Sequence, residues 1–190
     1  MQLNNIRTKF LGRNNIYYKT KDSTQNEIWN LINQNVPNGS LVSAGIQTMG
    51  KGTHGRIWHT DEENNIAFSF FIKMDCHIDK LQGINIDIAE IIVDLLNAEY
   101  EISLSIKQPN DIVFDNKKMG GFLTVTKIIN ENVEFLVVGI GINTSQEKFS
   151  EDIEKIATSI KKEFGKDVNV QKFIEDFCYL FEKRIIERCM

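Results

Sequence analysis

Between residues 79 and 106 the apolar residues change period, and that change restricts the folds open to this chain more than any other feature. Leu81, Ile84, Ile88, Ile91, Ile92, Leu95 and Leu96 recur at the spacing of one helix face, in a helix starting at Asp79. Directly afterwards Ile102, Leu104 and Ile106 alternate with polar residues, the period of a half-buried strand. A chain that makes this switch is neither all-helical nor all-β.

The flanking sequence fills in both element types. Ile16 to Lys19, Leu41 to Gln47, Ile66 to Ile72, Ile112 to Phe114 and Gly121 to Thr126 read as strands. Phe135 to Ile142 is continuously apolar and is expected at the centre of the sheet. A helix carrying Ile28, Trp29, Leu31 and Ile32 opens at Asp22-Ser23-Thr24, where Thr24-x-x-Glu27 fits a capping box. Two helices close the chain: one carries Ile153, Ile156, Ile160 and Phe164 and ends at Gly165, and the other carries Phe173, Phe177, Leu180 and Phe181 as core packing. Strands clustered between helices predict an α+β fold, with helices packed on one face of a mixed β-sheet. No repeat or Pro/Ser linker interrupts the 190 residues, so 1–190 reads as a single domain, long enough to bury a substantial core.

Composition excludes several classes of function. The formal net charge of -4 gives no broad attraction to nucleic acid or to an anionic membrane, so neither DNA nor membrane is expected as a partner. The cysteines Cys76, Cys178 and Cys189 form no CxxC pair, which argues against a disulfide framework and a zinc site. No apolar leader core follows Met1 and no apolar run approaches membrane-spanning length, so a cytoplasmic protein is expected. His59 and His77 lack partners at metal-ligand spacing, and Glu62-Glu63 reads as a solvated loop.

Two segments carry the chemistry. Gly50-Lys51-Gly52-Thr53-His54-Gly55 matches G-x-G-x-x-G, but the following residues, Arg56 to Glu63, show no helical periodicity, so the dinucleotide-fold reading fails. What remains is a basic glycine-rich loop whose backbone N–H groups can approach an anion closely, or an ordinary polar surface loop. The second segment is Lys107-Gln108-Pro109-Asn110-Asp111 followed by Lys117-Lys118-Met119-Gly120-Gly121. Pro109 should end a strand, Asp115-Asn116 should make a turn, and Gly120-Gly121 allows backbone contact with a ligand. The same residues are compatible with a plain hairpin bearing exposed lysines.

In order along residues 16–145, these pieces resemble the biotin protein ligase family. They are Asp22-Ser23-Thr24, Gln47-x-x-Gly50-Lys51-Gly52-x-x-Gly55-Arg56-x-Trp58, Lys107-x-Pro109-Asn110-Asp111, Lys118-x-Gly120-Gly121 and Gly139-Ile140-Gly141-Ile142-Asn143. The resemblance implies the class II synthetase-like fold of biotin and lipoate ligases. It implies ATP-dependent activation of biotin to biotinyl-5′-AMP, with Mg²⁺ as activator, then transfer to a lysine of a biotin carboxyl carrier protein. Ser23, Thr24, Gln25 and Gln47 would hold the biotin ring, Lys51, Gly52 and Thr53 would cover its carboxylate, Lys118 would reach that carboxylate and the α-phosphate, and Gly120 would also contact biotin. Arg56 and Trp58 would contact the nucleotide, and Asn110 and Asn143 would seat the adenylate. Lys118, with Arg56, would carry the catalytic charge, and Asp111 is the magnesium candidate. A homodimer is an allowed assembly.

The chain departs from the family pattern in four ways. Lys51 and Thr53 stand where the loop usually carries arginines, which removes a guanidinium fork and one charge. Gln108 replaces a tryptophan. Neither an N-terminal helix-turn-helix nor a small C-terminal SH3-like domain is expected within residues 1–190. Two alternatives accompany the resemblance: a lipoate or octanoate ligase or transferase, and a degenerate module that binds biotin or carrier without turnover. The segment 48–60 is expected to be mobile without ligand and ordered by biotinyl-adenylate, because its glycines carry backbone entropy and Lys51 and Arg56 repel.

Overall fold

The computed structural model describes residues 2–60, 63 and 65–189. Eight strands form one sheet in the order β1-β2-β4-β8-β7-β6-β5, with β3 pairing β2 beside this path. They are β1 (Asn15–Lys21), β2 (Leu41–Lys51), β3 (Ile57–Thr60), β4 (Ile66–His77), β5 (Ser105–Lys107), β6 (Asp111–Phe114), β7 (Lys117–Ile129) and β8 (Asn132–Ile142). The β1–β2 pair is parallel and every other pair antiparallel, so the sheet is mixed as the sequence predicts. The helices are α1 (Thr24–Asn33), α2 (Ile84–Tyr100), α3 (Ile160–Phe164) and α4 (Val170–Cys189).

The strand period distributes the core over both faces. In β2, β4 and β8, Leu41, Phe70, Leu136 and Val138 point toward α2 and α4, while Val42, Phe71 and Val137 point the other way. The larger layer joins Ile88 and Ile92 of α2 to Phe173, Phe177 and Phe181 of α4, whose rings stack along the helix and meet Phe68 edge-on. Each such buried side chain contributes about 1.5–3 kcal/mol. The smaller layer is α1, whose Ile28 and Leu31 cover Val42, Phe71 and Val137. Helices therefore lie on both faces, not on one as the element pattern suggested. Five apolar positions suffice to dock a single short helix there, too few to signal a second layer in sequence.

Several local expectations shift. Ser23, not Thr24, caps α1, its Oγ accepting from Asn26 N. Glu27 turns away from the cap to accept from Tyr18 Oη at 2.7 Å and pair with Lys21 at 2.8 Å. The long helix begins at Ile84, after a 3-10 turn over Ile78–Leu81 and a left-handed Gly83 that breaks the run from Asp79. Of the alternating stretch only Ser105–Lys107 is strand, at the edge of the sheet, where Ile106 is exposed. Ile153 and Ile156 lie on turns, and helix forms only from Ile160, because Ala157 bridges Lys118 and pulls the chain back to the sheet. Glu62, of the pair read as a solvated loop, is outside the described residues.

The glycine-rich run is a β-hairpin. Gly50 pairs with Trp58 and Lys51 with Ile57, leaving a tip of residues 52–56 with a 3-10 turn over Thr53–Gly55. The absence of a following helix agrees with rejection of a dinucleotide motif. The expected mobile segment, 48–60, thus narrows to this tip, since the strands on either side are hydrogen-bonded.

Candidate active site

One end of the sheet carries two adjoining cavities. The smaller is the more polar of the two and reaches from the N-terminus of α1 to β8; Thr24, Gln25, Gln47, Ser69 and Asn110 lie in its wall. The larger is mostly apolar, walled by Ile57, Phe149, Ile153 and Ile156, with Arg56, Asn143 and Gln146 at its polar points. Gly52, Thr53, Trp58 and Lys118 face both.

The polar end is built by a strand, a helix start and a hydrogen-bond chain. Thr24 donates to Gln47 Oε1 through its backbone N–H at 2.8 Å and its hydroxyl at 3.0 Å, and its Oγ1 lies 2.9 Å from Ser69 Oγ. The helix start is held from outside as well. Hydrogen bonds from Lys21 and Tyr18 keep the Glu27 carboxyl below its usual range, and the Ser23 N–H does the same for Asp22. Gln25 is buried beside this chain, and neither its Nε2 nor its Oε1 has a hydrogen-bond partner. A buried amide left unpaired costs about 1–3 kcal/mol, so it is a ready contact for a polar ligand.

Glycines open the floor. A Cβ on Gly139 would sit 2.5 Å from Gln25 Oε1 and 3.0 Å from Ser69 Oγ, and one on Gly141 would sit 2.5 Å from Trp58 Cε2. Both residues alternate onto the same face of β8, so their lack of side chains lets the amide and the indole lie against the strand. Gly121 does the same for Lys118, whose Nζ would be 3.3 Å from an added Cβ.

Lys118 occupies the junction. Its Nζ is 2.6 Å from Asp111 Oδ1 and 5.8 Å from the centre of the Trp58 ring. Its backbone is fixed on both sides, its N–H donating to Ile156 O and its carbonyl accepting from Thr158 N. A fixed backbone with a long side chain lets the ammonium reach an anion arriving from either cavity. Asn143 donates through Nδ2 to Thr158 O, and Asn110 through Nδ2 to Phe122 O, so both amides also brace the walls. Arg56 folds back on the hairpin tip, donating to Thr53 O and Oγ1.

Of the residues singled out in sequence, Thr24, Gln25, Gln47, Lys51, Gly52, Thr53, Trp58, Asn110 and Lys118 meet in the first cavity, and Arg56 and Asn143 in the second. Ser23 lines neither, its hydroxyl being spent on the helix cap. Gly120 also lines neither and packs over Gly141 O; its neighbour Gly121 faces the cavity instead. Asp111 stands behind Lys118 as its ion-pair partner. Among the described residues no group of three or more His, Cys, Asp and Glu side chains could hold a metal ion by itself. One carboxylate can join a Mg²⁺ coordinated mainly by water and phosphate oxygens, so Asp111 fits that limited role.

Sequence reading missed Ser69 and the apolar wall of the second cavity. Ser69 had a signal, a lone hydroxyl inside the apolar run Ile66–Ile72. Phe149 had none, and Ile153 and Ile156 carried a helical period that the structure does not follow, both lying on turns.

Comparison with known proteins identifies the family. Residues 17–143 match the model of the Biotin/lipoate A/B protein ligase family. The bifunctional ligase/repressor BirA of Bacillus spizizenii is 34% identical over 181 residues, covering 94% of this chain and 56% of the relative. BirA of Escherichia coli is 24% identical over 132 residues, covering 70% of this chain and 41% of the relative. The chain thus spans about half the length of these curated relatives. The structure of the biotin protein ligase from Aquifex aeolicus in complex with biotin and ATP superposes with a TM-score of 0.74 at 29% identity, over 92% of this chain and 71% of that one. That of the Leishmania major biotin protein ligase shares the fold at 21% identity and a TM-score of 0.66, over 92% and 79% of the two chains. A motif-bearing sheet end, a family match over residues 17–143 and a shared fold lead to one assignment: this chain belongs to the Biotin/lipoate A/B protein ligase family.

Proposed function

We propose that the chain is a biotin protein ligase, which activates biotin with ATP and transfers it to a lysine of a biotin carboxyl carrier protein. The observation that carries this reading is the placement of Lys118, the one side-chain ammonium facing both a polar and an apolar cavity among the described residues. The polar cavity, with its unpaired buried amide at Gln25, suits a ring rich in hydrogen-bonding groups. The apolar cavity suits an adenine, with Trp58 and Phe149 as aromatic surfaces. The named relatives and the Aquifex structure with biotin and ATP support the same choice.

The chemistry then follows from positions. Biotin lies with its ring toward Thr24, Gln25 and Gln47 and its carboxylate toward Lys118. The carboxylate oxygen attacks the α-phosphorus of ATP, the bond to the bridging oxygen breaks, and pyrophosphate leaves. Lys118 moves from Asp111 to the oxygens on which charge accumulates, a preorganised donor of the kind worth about 10²–10³ in rate. Arg56 and Lys51, at the hairpin, add positive charge over the phosphates, while Asn143 seats the adenylate. Mg²⁺, when bound beside Asp111 and the phosphates, supplies charge neutralisation. In the second half-reaction the carrier lysine amine attacks the carbonyl of the mixed anhydride and AMP leaves, with Lys118 again beside the departing phosphate. Positioning and charge neutralisation suffice, with no covalent enzyme intermediate.

Biotin-dependent exchange of pyrophosphate into ATP tests the proposal. Exchange with biotin and none with lipoate or octanoate is expected. Exchange driven by lipoate instead would transfer the chain to the other branch of the family. Absence of exchange with any acid would leave a binding module.

A further inference from the structure

Ser69 lies on β4, opposite Gly139 on β8, fully buried and facing the polar cavity. Its hydrogen-bond polarity can be worked out atom by atom. The backbone N–H of Thr24 can only donate, so the Gln47 atom 2.8 Å away must be the acceptor Oε1. The Thr24 hydroxyl, 3.0 Å from that same Oε1, must then spend its single hydrogen on it. Its lone pairs are left for Ser69, and the contact of 2.9 Å requires Ser69 to donate. The chain therefore runs one way, Ser69 to Thr24 to Gln47, and its direction is set by a backbone group that no side-chain rotation can reverse.

The consequence lies at the open end of the chain. With its hydrogen committed to Thr24, Ser69 can present only acceptor lone pairs to the cavity. Gly139 has no side chain to cover them: the point where its Cβ would stand is 3.0 Å from Ser69 Oγ. The same point is 2.5 Å from Oε1 of Gln25, the buried amide without a partner. The floor of the cavity thus shows a fixed acceptor beside a free donor–acceptor amide.

We propose that Ser69 is a specificity-determining residue for the acyl head group, accepting a hydrogen bond from a ring N–H of a cyclic urea whose neighbouring polar groups are met by Gln25. This deepens the biotin ligase reading and rests on it. A dithiolane or an alkyl tail has no N–H to give, so it would leave both Ser69 and Gln25 buried and unpaired. Polar sites built in this way reject analogues lacking the matching group far more strongly than apolar pockets reject a missing methylene.

The test is a cycle between protein and ligand in biotin-dependent ATP–pyrophosphate exchange by the full chain. Wild type and Ser69→Ala are compared with biotin and with biotin methylated on one or the other ring nitrogen. Ser69→Ala should raise KM for biotin about tenfold or more while kcat stays within about twofold, the pattern of lost uniform binding. For one of the two nitrogens, methylation should cost wild type heavily and the variant far less, because the contact it removes is already gone. The preference for biotin over lipoate should narrow by the same factor as KM rises. An unmoved KM, or methylation penalties that multiply independently of residue 69 for both nitrogens, would overturn the assignment while leaving the ligase reading intact. Wild type without any biotin-dependent exchange would overturn both.

Discussion

Gly141→Ala places one methyl group against the wall between the two cavities. On the present backbone the new Cβ would stand 2.5 Å from Trp58 Cε2, 2.6 Å from Nε1 and 3.0 Å from Cζ2. Carbon atoms pack best at about 3.5–4.0 Å, so strand and ring must separate by roughly 1 Å. Residue 141 is held on both sides, by Ala67 of β4 and Gly121 of β7, whereas Trp58 belongs to β3, which pairs with β2 alone. The indole therefore gives way. Overpacking of this kind costs about 1–3 kcal/mol, and if ATP needs the ring in place that cost appears as a loss of about 5- to 150-fold in kcat/KM for ATP. Exchange kinetics with ATP varied at saturating biotin measure it. The chain has two tryptophans, Trp29 and Trp58, so a Trp29→Phe background isolates the emission of Trp58. That emission should shift in Gly141→Ala, and its response to biotin plus ATP should shrink. Wild-type kcat/KM together with unchanged Trp58 emission would show that the ring does not lie on Gly141, and the proposed wall between the sites would fall.

Lys118→Ala should lower adenylate formation by at least ~100-fold, with biotin binding by calorimetry weakened less; near-normal exchange would remove Lys118 from the mechanism. Trypsin should cut at Lys51 and Arg56, which flank and close the hairpin tip, and protection should be weak with biotin but strong with biotin, ATP and Mg²⁺; equal cutting in all conditions would refute ordering of the tip. Phe177→Ala empties a fully buried site between Phe173, Phe181 and Phe68, and urea denaturation should register a loss of about 3–5 kcal/mol. Glu27→Gln should destabilise the fold at pH 7 and lose that effect in acid: the Lys21 and Tyr18 hydrogen bonds hold the folded carboxyl below its usual value, so its contribution is present above the unfolded pKa and disappears as pH falls through the lowered one. A stability gap that persists unchanged at low pH would contradict this.

What the sequence revealed of this protein depended on how far each property is encoded locally. Phe135 to Ile142 could be read as the central strand because burial on both faces removes polar alternation, and β8 does sit between β4 and β7. The second face of the sheet stayed hidden for the same reason: in Phe70-Phe71 and Val137-Val138 both faces are apolar, and nothing in such a run says which helix covers which side. Lys118 and Gln47, which the fold brings to one cavity, could be picked out because each stands in a patterned segment of the sequence. Ser23 and Gly120 belong to the same patterns, yet the Ser23 hydroxyl caps α1 and Gly120 lies close over Gly141 O, placements that only the folded backbone sets.

Ser69 makes the converse point. It stands on an apolar strand, and the role proposed for it comes from three elements that meet only in the folded chain: the start of α1, Gln47 of β2 and a gap in β8. Hydrogen-bond direction is a property of that meeting, not of any segment. A backbone N–H on α1 orients an amide on β2, which orients a hydroxyl on α1, which orients a hydroxyl on β4, and only then does the cavity acquire a fixed acceptor. Specificity for a donor-bearing ring can therefore reside in a residue that carries no motif, provided the motif residues around it leave it one way to face.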